Sequence, residues 1–405
     1  MKAYLHGLRF IATIVTAMLT FTFTSCDSDD VDIRPPYYPT EARRTVLMYL
    51  PWAGTGLYNA LLNNITMFEK AIEDGGGLGS DALLIFVAEN GETAHMIQVG
   101  IGSDGQCVQD TLKKYYFTDC NYTTAEGITT ILNDAMAAVP ADSYAMTVGC
   151  HGLGWLPKGT CPASRVVVKM QSGYPMTRFF GTGVGDDSRY QTDVTALAKG
   201  VEATGVKLDY ILFDDCYMAN VETAYTLRNA TDYLIGSTSE VMDIGMPYHD
   251  IGKALLQADM QKVVANVTRF YESYTWPYVA IGVIDCREAE ATAEVMRKIN
   301  TAFPFGMQDD NSVQDLDGYT PTIFYDMGSY VDRLCTDETL KATFNEQMAR
   351  LVPYKGHTER YVSFVTGKRR TYPINTFSGI TISDPTRNTA AKEAVKQTEW
   401  YQVTH

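Results

Sequence analysis

Apolar positions along the chain alternate between short uninterrupted runs and longer segments with helical spacing. The short runs are rich in β-branched and aromatic residues, which is typical of buried strands. The predicted strands are Thr45–Leu50, Ala82–Ala88, Tyr144–Val148, Tyr210–Phe213, Tyr233–Ser237 and Val279–Ile284. The predicted helices are Leu57–Ile72, Thr123–Val139, Thr192–Ala203, Gln261–Tyr274, Ala289–Ala302 and Tyr325–Leu334. The helical spacing of Met218, Val221, Ala224 and Tyr225 predicts a further helix directly after Cys216. Their alternation predicts an α/β protein with a largely parallel central sheet.

Other segments are expected to decorate this sheet. His95–Val99 and Gln106–Tyr116 have the pattern of a surface hairpin, and Phe305–Thr320 is a polar insertion. The chain after residue 334, which includes Ser378–Ser383, has the pattern of strands and loops. We therefore expect a main core at about residues 44–300 and a smaller C-terminal portion at about 301–405.

Two predicted strands end in residues that can do chemistry. The strand Tyr144–Val148 leads to His151 in a Gly-rich turn, and the strand Tyr210–Phe213 leads to Cys216. A single cysteine after a strand is more often a small buried apolar residue. A histidine and a cysteine after adjacent parallel strands would instead place an imidazole beside a thiol, which is what a cysteine nucleophile needs.

The motifs around these residues resemble the clostripain family of cysteine peptidases, in the clan that also holds caspases, legumains and gingipains. The resemblance runs from about Thr45 to the C-terminus. It rests on HGLGW at His151–Trp155, VGDD at Val184–Asp187, FDDCYMANVETAY at Phe213–Tyr225 and GSTSEVMDIGMPY at Gly236–Tyr248. It implies a caspase-like α/β/α sandwich with a mostly parallel central sheet and a smaller C-terminal portion.

The resemblance also implies an endopeptidase mechanism. Cys216 would be the nucleophile, His151 the general base and then acid, and the backbone N–H groups of Gly152 and Cys216 the oxyanion donors. The clan usually has no acidic third member. Cleavage after Arg or Lys is implied, and the candidate carboxylates for the S1 pocket are Asp214, then Asp243 and Glu240.

The sequence departs from the family pattern at three places. Asp215 stands where alanine is usual, and an anion there would disfavour the thiolate unless its side chain points away. The segment WAGTGLYN follows the first strand where relatives carry acidic and Asn residues, and SEVMDIG lacks the usual proline. These changes concern the S1 wall and calcium dependence rather than the His–Cys pair.

Activation and metal dependence are further expectations from the resemblance. Relatives are cleaved between the two catalytic strands, where this chain carries the cations Arg178, Lys169 and Arg165 in flexible surroundings. Asp186 and Asp187 are expected to form a turn, with a calcium role as the alternative. No cofactor is expected to be required.

The N-terminus has the pattern of a bacterial lipoprotein signal. Lys2 and Arg9 precede an apolar stretch that is too short for a typical membrane span, and small residues then lead to Cys26. We predict a signal peptide at 1–25, lipidation of Cys26, an acidic and Pro-rich tether at 26–43 and a peptidase domain at 44–405. The predicted location is the cell envelope, anchored in the outer membrane and surface-exposed, with plain secretion as the alternative.

Charge and cysteine content limit the partners. A formal net charge of −15 argues against nucleic acid binding. Protein or peptide substrates and a monomeric state are expected. The other cysteines show no CxxC pair or zinc-ligand spacing. They are Cys107, Cys120, Cys150, Cys161, Cys286 and Cys335.

Two alternatives remain at this point. The first is a catalytically silent surface-binding lipoprotein on a peptidase scaffold, although such a protein would have no need of both His151 and Cys216. The second is a transpeptidase or ligase of the same clan, which would share the pair and differ in its products.

Overall fold

The computed structural model describes residues 34–53, 57–160, 189–304 and 312–405. The predicted signal peptide, Cys26 and most of the predicted tether lie outside the described residues. Across the described ranges, no helix has both the length and the apolar content needed to cross a membrane.

A nine-stranded sheet forms the centre of the fold, in the order β10-β8-β7-β6-β5-β1-β2-β3-β4. The five strands β1, β2, β5, β6 and β7 pair in parallel, and β3, β4, β8 and β10 join antiparallel at the two sides. The nine strands are β1 Ala42–Leu50, β2 Asp81–Ala88, β3 Thr93–Ile101, β4 Cys107–Tyr116, β5 Ala141–Val148, β6 Leu208–Phe213, β7 Thr231–Ser237, β8 Ala280–Asp285 and β10 Tyr354–His357. Two small antiparallel sheets pair β9 Tyr325–Asp326 with β13 Thr381–Ile382, and β11 Arg360–Ser363 with β12 Arg370–Pro373.

Helices pack in two groups that make an α/β/α sandwich. The first group contains α1 Leu57–Asp74, α5 Tyr248–Gln257 and α6 Met260–Ser273. The second contains α2 Ala125–Ala138, α3 Val194–Glu202, α4 Val221–Leu227, α7 Ala289–Ala302, α9 Glu338–Leu351 and α10 Glu399–Thr404. Helix α8, Met327–Leu334, packs beside α9. The sheet is covered on both faces, so β2 is buried along its whole length.

This architecture confirms the predicted fold class, the six predicted strands and the hairpin. The prediction of only strands and loops after residue 334 was wrong, because α9 and α10 are helices. The sequence analysis also missed α5, which lies between the predicted strand and helix on either side of it. Residues Tyr325 and Asp326 are a strand rather than the start of a helix, because they pair with Thr381 and Ile382 and because Asp326 caps α8.

Candidate active site

The register of β5 and β6 brings the two predicted catalytic residues to one edge of the sheet. Val148 is paired with Phe213 at the end of the parallel ladder, and the N–H of Asp214 continues it by donating to the carbonyl of Val148 at 2.8 Å. Counting on from this pair sets Cys150 beside Asp215 and His151 beside Cys216. Neighbouring strands are about 4.8 Å apart. The two loops therefore leave the sheet side by side.

The backbone of Gly152 lies closely against the loop that carries Cys216. A Cβ built on Gly152 would lie 2.3 Å from the carbonyl oxygen of Cys216 and 2.7 Å from its backbone nitrogen. Both neighbours are backbone atoms, so no flexible side chain could move aside. Only glycine allows the histidine loop to approach the cysteine in this way.

Cys216 is fully buried in the intact chain. Its sulfur accepts a hydrogen bond from the backbone N–H of Val241, with an N···Sγ distance of 3.2 Å. The next residue, Tyr217, has a φ of 63°, a left-handed conformation that is rare for a bulky residue. The chain thus turns sharply at Cys216 before α4 begins, and the helix starts only after Asn220, whose side chain accepts the N–H of Thr223.

An aromatic side chain from the loop after β1 packs against His151. The indole of the buried Trp52 meets the imidazole edge-on, with ring centroids 4.7 Å apart and an interplanar angle of 88°. Trp52 belongs to the WAGTG segment in which the sequence departs from the family pattern. The sequence analysis did not connect it with His151, since the two residues are distant along the chain.

Asp215 points toward the histidine loop. Its Oδ1 accepts the backbone N–H of Cys150 at 2.7 Å, and the Cys150 sulfur lies 3.3 Å both from its Oδ2 and from the carbonyl oxygen of His151. Both residues are buried. The carboxylate next to the nucleophile therefore has donors of its own on the neighbouring loop.

Asp214, the first S1 candidate, is fully buried below the same edge of the sheet. Its Oδ2 accepts the side-chain amide of Asn64 in α1 at 2.8 Å, and its Oδ1 accepts the backbone N–H of Met246 at 2.8 Å. The carboxylate thus ties α1 to the loop that follows β7.

The other two S1 candidates lie on that loop in different surroundings. Glu240 is buried and its Oε1 accepts the N–H of Phe364 at 2.7 Å and the hydroxyl of Tyr217 at 3.1 Å. Burial and the Glu240 carboxylate raise the pKa of Tyr217 well above its usual value. Asp243 is half-buried and contributes, after burial, to the raised pKa of Tyr274.

Ser383, in the C-terminal portion, contacts both the loop that carries His151 and the helix after Cys216, and the sequence analysis predicted neither contact. The indole N–H of Trp155, from the HGLGW motif, donates to the hydroxyl of Ser383 at 2.8 Å. The backbone N–H of Ser383 donates in turn to Glu222 of α4 at 2.6 Å. The carboxyl of Glu222 is buried beside Asp384, and burial and this neighbouring carboxyl raise its pKa well above the usual range. One serine thus braces the histidine loop and the helix that follows the cysteine.

Several predicted residues lie outside the described residues, namely Arg165, Lys169, Arg178, Asp186 and Asp187. Within the described ranges, no group of three or more His, Cys, Asp or Glu side chains is arranged to hold a metal ion. No disulfide joins the six cysteines that the structure describes.

An α/β/α sandwich that carries a histidine and a cysteine after neighbouring parallel strands defines a cysteine peptidase with a caspase-like fold. The chain belongs to the clostripain family, whose family model (Peptidase C11) matches residues 71–352. It is therefore a cysteine endopeptidase, as the sequence motifs predicted. A search of curated proteins found no match.

Solved structures of the same family resemble this chain closely. A secreted C11 cysteine protease from Bacteroides thetaiotaomicron, "iotapain", is 44% identical with a TM-score of 0.81, and the match covers 91% of this chain and 100% of that one. A clostripain from the same species, in complex with the peptide inhibitor BTN-VLTK-AOMK, is 49% identical with a TM-score of 0.52 over 55% of this chain and 98% of that one. An inactive zymogen C11 protease from Parabacteroides distasonis is 26% identical with a TM-score of 0.75 over 91% and 100%.

Proposed function

We propose that this chain hydrolyses peptide bonds after Arg or Lys through a pair formed by Cys216 and His151. The observation that supports this most strongly is the register of β5 and β6, together with the backbone contact between Gly152 and Cys216. The register directs an imidazole and a thiol into adjacent loops at the carboxyl edge of a parallel sheet, where open α/β sheets bind their ligands.

The proposed reaction proceeds in two halves. The Cys216 thiolate attacks the scissile carbonyl carbon, and His151 takes the thiol proton and gives it to the leaving amine. Water then attacks the thioester, His151 removes a proton from that water, and Cys216 leaves as the thiol. The N–H groups of Gly152 and Cys216 would stabilise the oxyanion in both halves.

The test of the pair compares wild type with Cys216→Ala and His151→Ala on fluorogenic Arg and Lys peptides. We expect both variants to lose activity, by about 10³-fold or more, without a change in fold by circular dichroism. Peptide hydrolysis that survives in Cys216→Ala would rule out this nucleophile. Mass spectrometry of the products distinguishes hydrolysis from peptide ligation.

For substrate choice, we propose that Asp214 provides the negative charge of the S1 pocket. It is a buried carboxylate two residues before the nucleophile, and a buried carboxylate binds a guanidinium or ammonium group strongly. The peptide in the inhibitor bound by the related clostripain ends in lysine, which is consistent with a basic residue at this position.

Asp214→Asn is the corresponding experiment, because it removes the charge and keeps the shape. We expect kcat/KM on Arg and Lys peptides to fall by about 10- to 100-fold, the value of a charged hydrogen bond, with a smaller loss on an uncharged residue at the same position. Asp243→Asn and Glu240→Gln neutralise the other two S1 candidates in the same way and serve as the matched variants. An equal loss on charged and uncharged substrates would show that Asp214 only holds Asn64 and Met246.

We further propose that the intact chain is activated by its own cleavage at Arg178, Lys169 or Arg165. The complete burial of Cys216 in the intact chain supports a step that opens the site. Purified Cys216→Ala should remain one chain, while the wild type should be cut at one of these residues, as peptide mass mapping would show. Wild type that is fully active while uncut would contradict the proposal.

For location, we propose that Cys26 is lipidated and anchors the enzyme in the outer membrane. Cys26→Ala should appear in the medium or periplasm, whereas wild type should fractionate with membranes.

Calcium dependence is tested separately by assaying activity in EGTA and after calcium is added back. Asp186 and Asp187 are the residues to replace if activity depends on calcium.

A further inference from the structure

We propose that Asp215 is a positioning residue that fixes the loop carrying His151 against the loop carrying Cys216. The inference rests on the proposed catalytic pair and adds a role for the residue between the S1 candidate and the nucleophile. It concerns the position where this chain has aspartate and the family pattern has alanine.

The contact between Asp215 and Cys150 lies just beyond the last backbone hydrogen bond between β5 and β6. The ladder between β5 and β6 ends at Val148 and Asp214, and Asp215 then accepts the N–H of Cys150 at 2.7 Å through its side chain. Cys150 immediately precedes His151. Alanine at position 215 would have no acceptor to offer, and the loop would be tied to its neighbour through fewer contacts.

The side chain of Cys150 also lies beside the other carboxylate oxygen. Its sulfur is 3.3 Å from Oδ2 of Asp215 and 3.3 Å from the carbonyl oxygen of His151, so the one thiol proton has an acceptor on each catalytic-site loop. The N–H and the thiol of one residue thus both contact Asp215. Asp215 also lies against Gly152, the residue after His151. A Cβ built on Gly152 would be 2.8 Å from the Cβ of Asp215. Asp215 therefore contacts the residues on both sides of the histidine.

This arrangement assigns the negative charge of Asp215 to the histidine loop rather than to the nucleophile. Displacement of a catalytic group by about 1 Å can lower a rate about 100-fold while the binding of substrate is maintained. Loss of the Asp215 contact should therefore reduce kcat and leave KM nearly constant. If Asp215 acted only through its charge on the Cys216 thiol, every uncharged replacement of Asp215 would instead shift the pH profile of activity in the same way.

The test compares Asp215→Ala with Asp215→Asn, which keeps one oxygen to accept the Cys150 N–H. For Asp215→Ala we expect kcat to fall by about 10- to 100-fold with KM within about twofold of wild type, and the acidic limb of the kcat/KM pH profile to move to higher pH. For Asp215→Asn we expect kcat within about threefold of wild type and an unchanged acidic limb. Asp337→Ala, which removes the cap of α9, is the control for a general loss of stability.

Cys150→Ala and Cys150→Ser test the thiol contact separately. The backbone N–H persists in both, so we expect only about a threefold loss of kcat in Cys150→Ala, which the serine hydroxyl should restore. If Asp215→Ala does not fold, Asp215→Asn decides the question, because it removes the charge and keeps an acceptor for the Cys150 N–H. In that case, full activity with an acidic limb moved to lower pH in Asp215→Asn would overturn the proposal.

Two other results would also overturn it. If Asp215→Ala lowers the melting temperature as Asp337→Ala does but keeps kcat and the pH profile, Asp215 is only structural. If both Asp215 variants keep full activity and shift the acidic limb to lower pH, Asp215 acts only as a nearby charge. The proposed catalytic pair fails in a different way, through activity that survives Cys216→Ala.

Discussion

Replacing Gly152 by alanine tests the contact on which the candidate active site depends. The added methyl group would lie 2.3 Å from the carbonyl oxygen of Cys216, whereas ordinary contacts begin at 3.4 Å. The two loops must therefore separate by about 1.1 Å, the difference between these distances. Because the opposing atoms are backbone, the displacement falls on Cys216 or on the neighbouring His151.

The magnitude of the effect follows from this displacement. A misplacement of about 1 Å between catalytic groups costs about 100-fold in rate, which corresponds to about 2.7 kcal/mol of transition-state stabilisation. The loss should be in kcat/KM on both Arg and Lys peptides, since it arises at the reacting atoms and not in the S1 pocket. Stability should fall by about 1–3 kcal/mol, the usual cost of overpacking.

The assay measures kcat/KM and the denaturant midpoint of Gly152→Ala beside Gly328→Ala. A Cβ at Gly328 would meet the Cβ of Ser378 at 3.1 Å, a tight contact at the start of α8 that lies outside the candidate site. The control should retain activity. If Gly152→Ala keeps wild-type kcat/KM, the two loops do not meet as described and the geometric argument for the pair is refuted.

Three further predictions concern the elements around the site. Asp384→Asn should stabilise the protein at pH 8 by up to about 4 kcal/mol, with no gain at pH 4. The reason is that burial raises the pKa of Asp384 from 3.8 to about 7, so the wild type loses stability as pH rises through that range. Urea unfolding of both proteins at pH 4 and pH 8 measures the difference in the free energy of unfolding. Asn220→Ala should cost about 1–2 kcal/mol by uncapping α4, seen as a lower urea midpoint at constant m. Ser383→Ala should lower kcat severalfold and change KM less, because the indole N–H of Trp155 loses its buried acceptor. A kcat equal to that of wild type would refute a role for Ser383 in holding the histidine loop.

The sequence predicted correctly that His151 and Cys216 follow strands of the parallel core, because the signal for the end of a strand is local. Each strand of the parallel core is a short apolar run, and the polar residues follow where the run ends. His151 and Cys216 could thus be assigned to adjacent strand ends before any contact was known. The order of the strands explains why the two residues lie in neighbouring loops, since β5 and β6 are neighbours in the sheet.

Among the helices that were missed, α9 has a weak local signal, whereas α5 has clear helical spacing. Helix α9 buries only Phe344, Gln347, Met348 and Leu351, so its apolar periodicity is faint. The start of α8 was misassigned because Tyr325 and Asp326 satisfy their backbone groups with β13, which lies far along the chain. The helix after Cys216 begins later than its apolar spacing suggests, since the left-handed Tyr217 interrupts it.

Contacts between distant segments could not be derived from the pattern. Ser383 reaches Trp155 across 228 positions, and no local feature of either residue identifies the other. The same holds for Trp52 against His151. Both contacts join segments that are distant along the chain and adjacent only in the folded structure.

Asp215 shows how the structure changes the meaning of a sequence feature. A carboxylate beside a nucleophilic thiol is unfavourable if it faces the sulfur, since like charges disfavour the thiolate. The register of β5 and β6 instead sets Cys150 opposite Asp215, and the backbone N–H of Cys150 donates to the carboxylate while the Cys150 sulfur lies 3.3 Å from its other oxygen. A buried carboxylate that accepts a backbone N–H is satisfied where it lies. The acidic residue is therefore compatible with thiolate chemistry because its partner is on the histidine loop, and on our proposal the same contact positions His151.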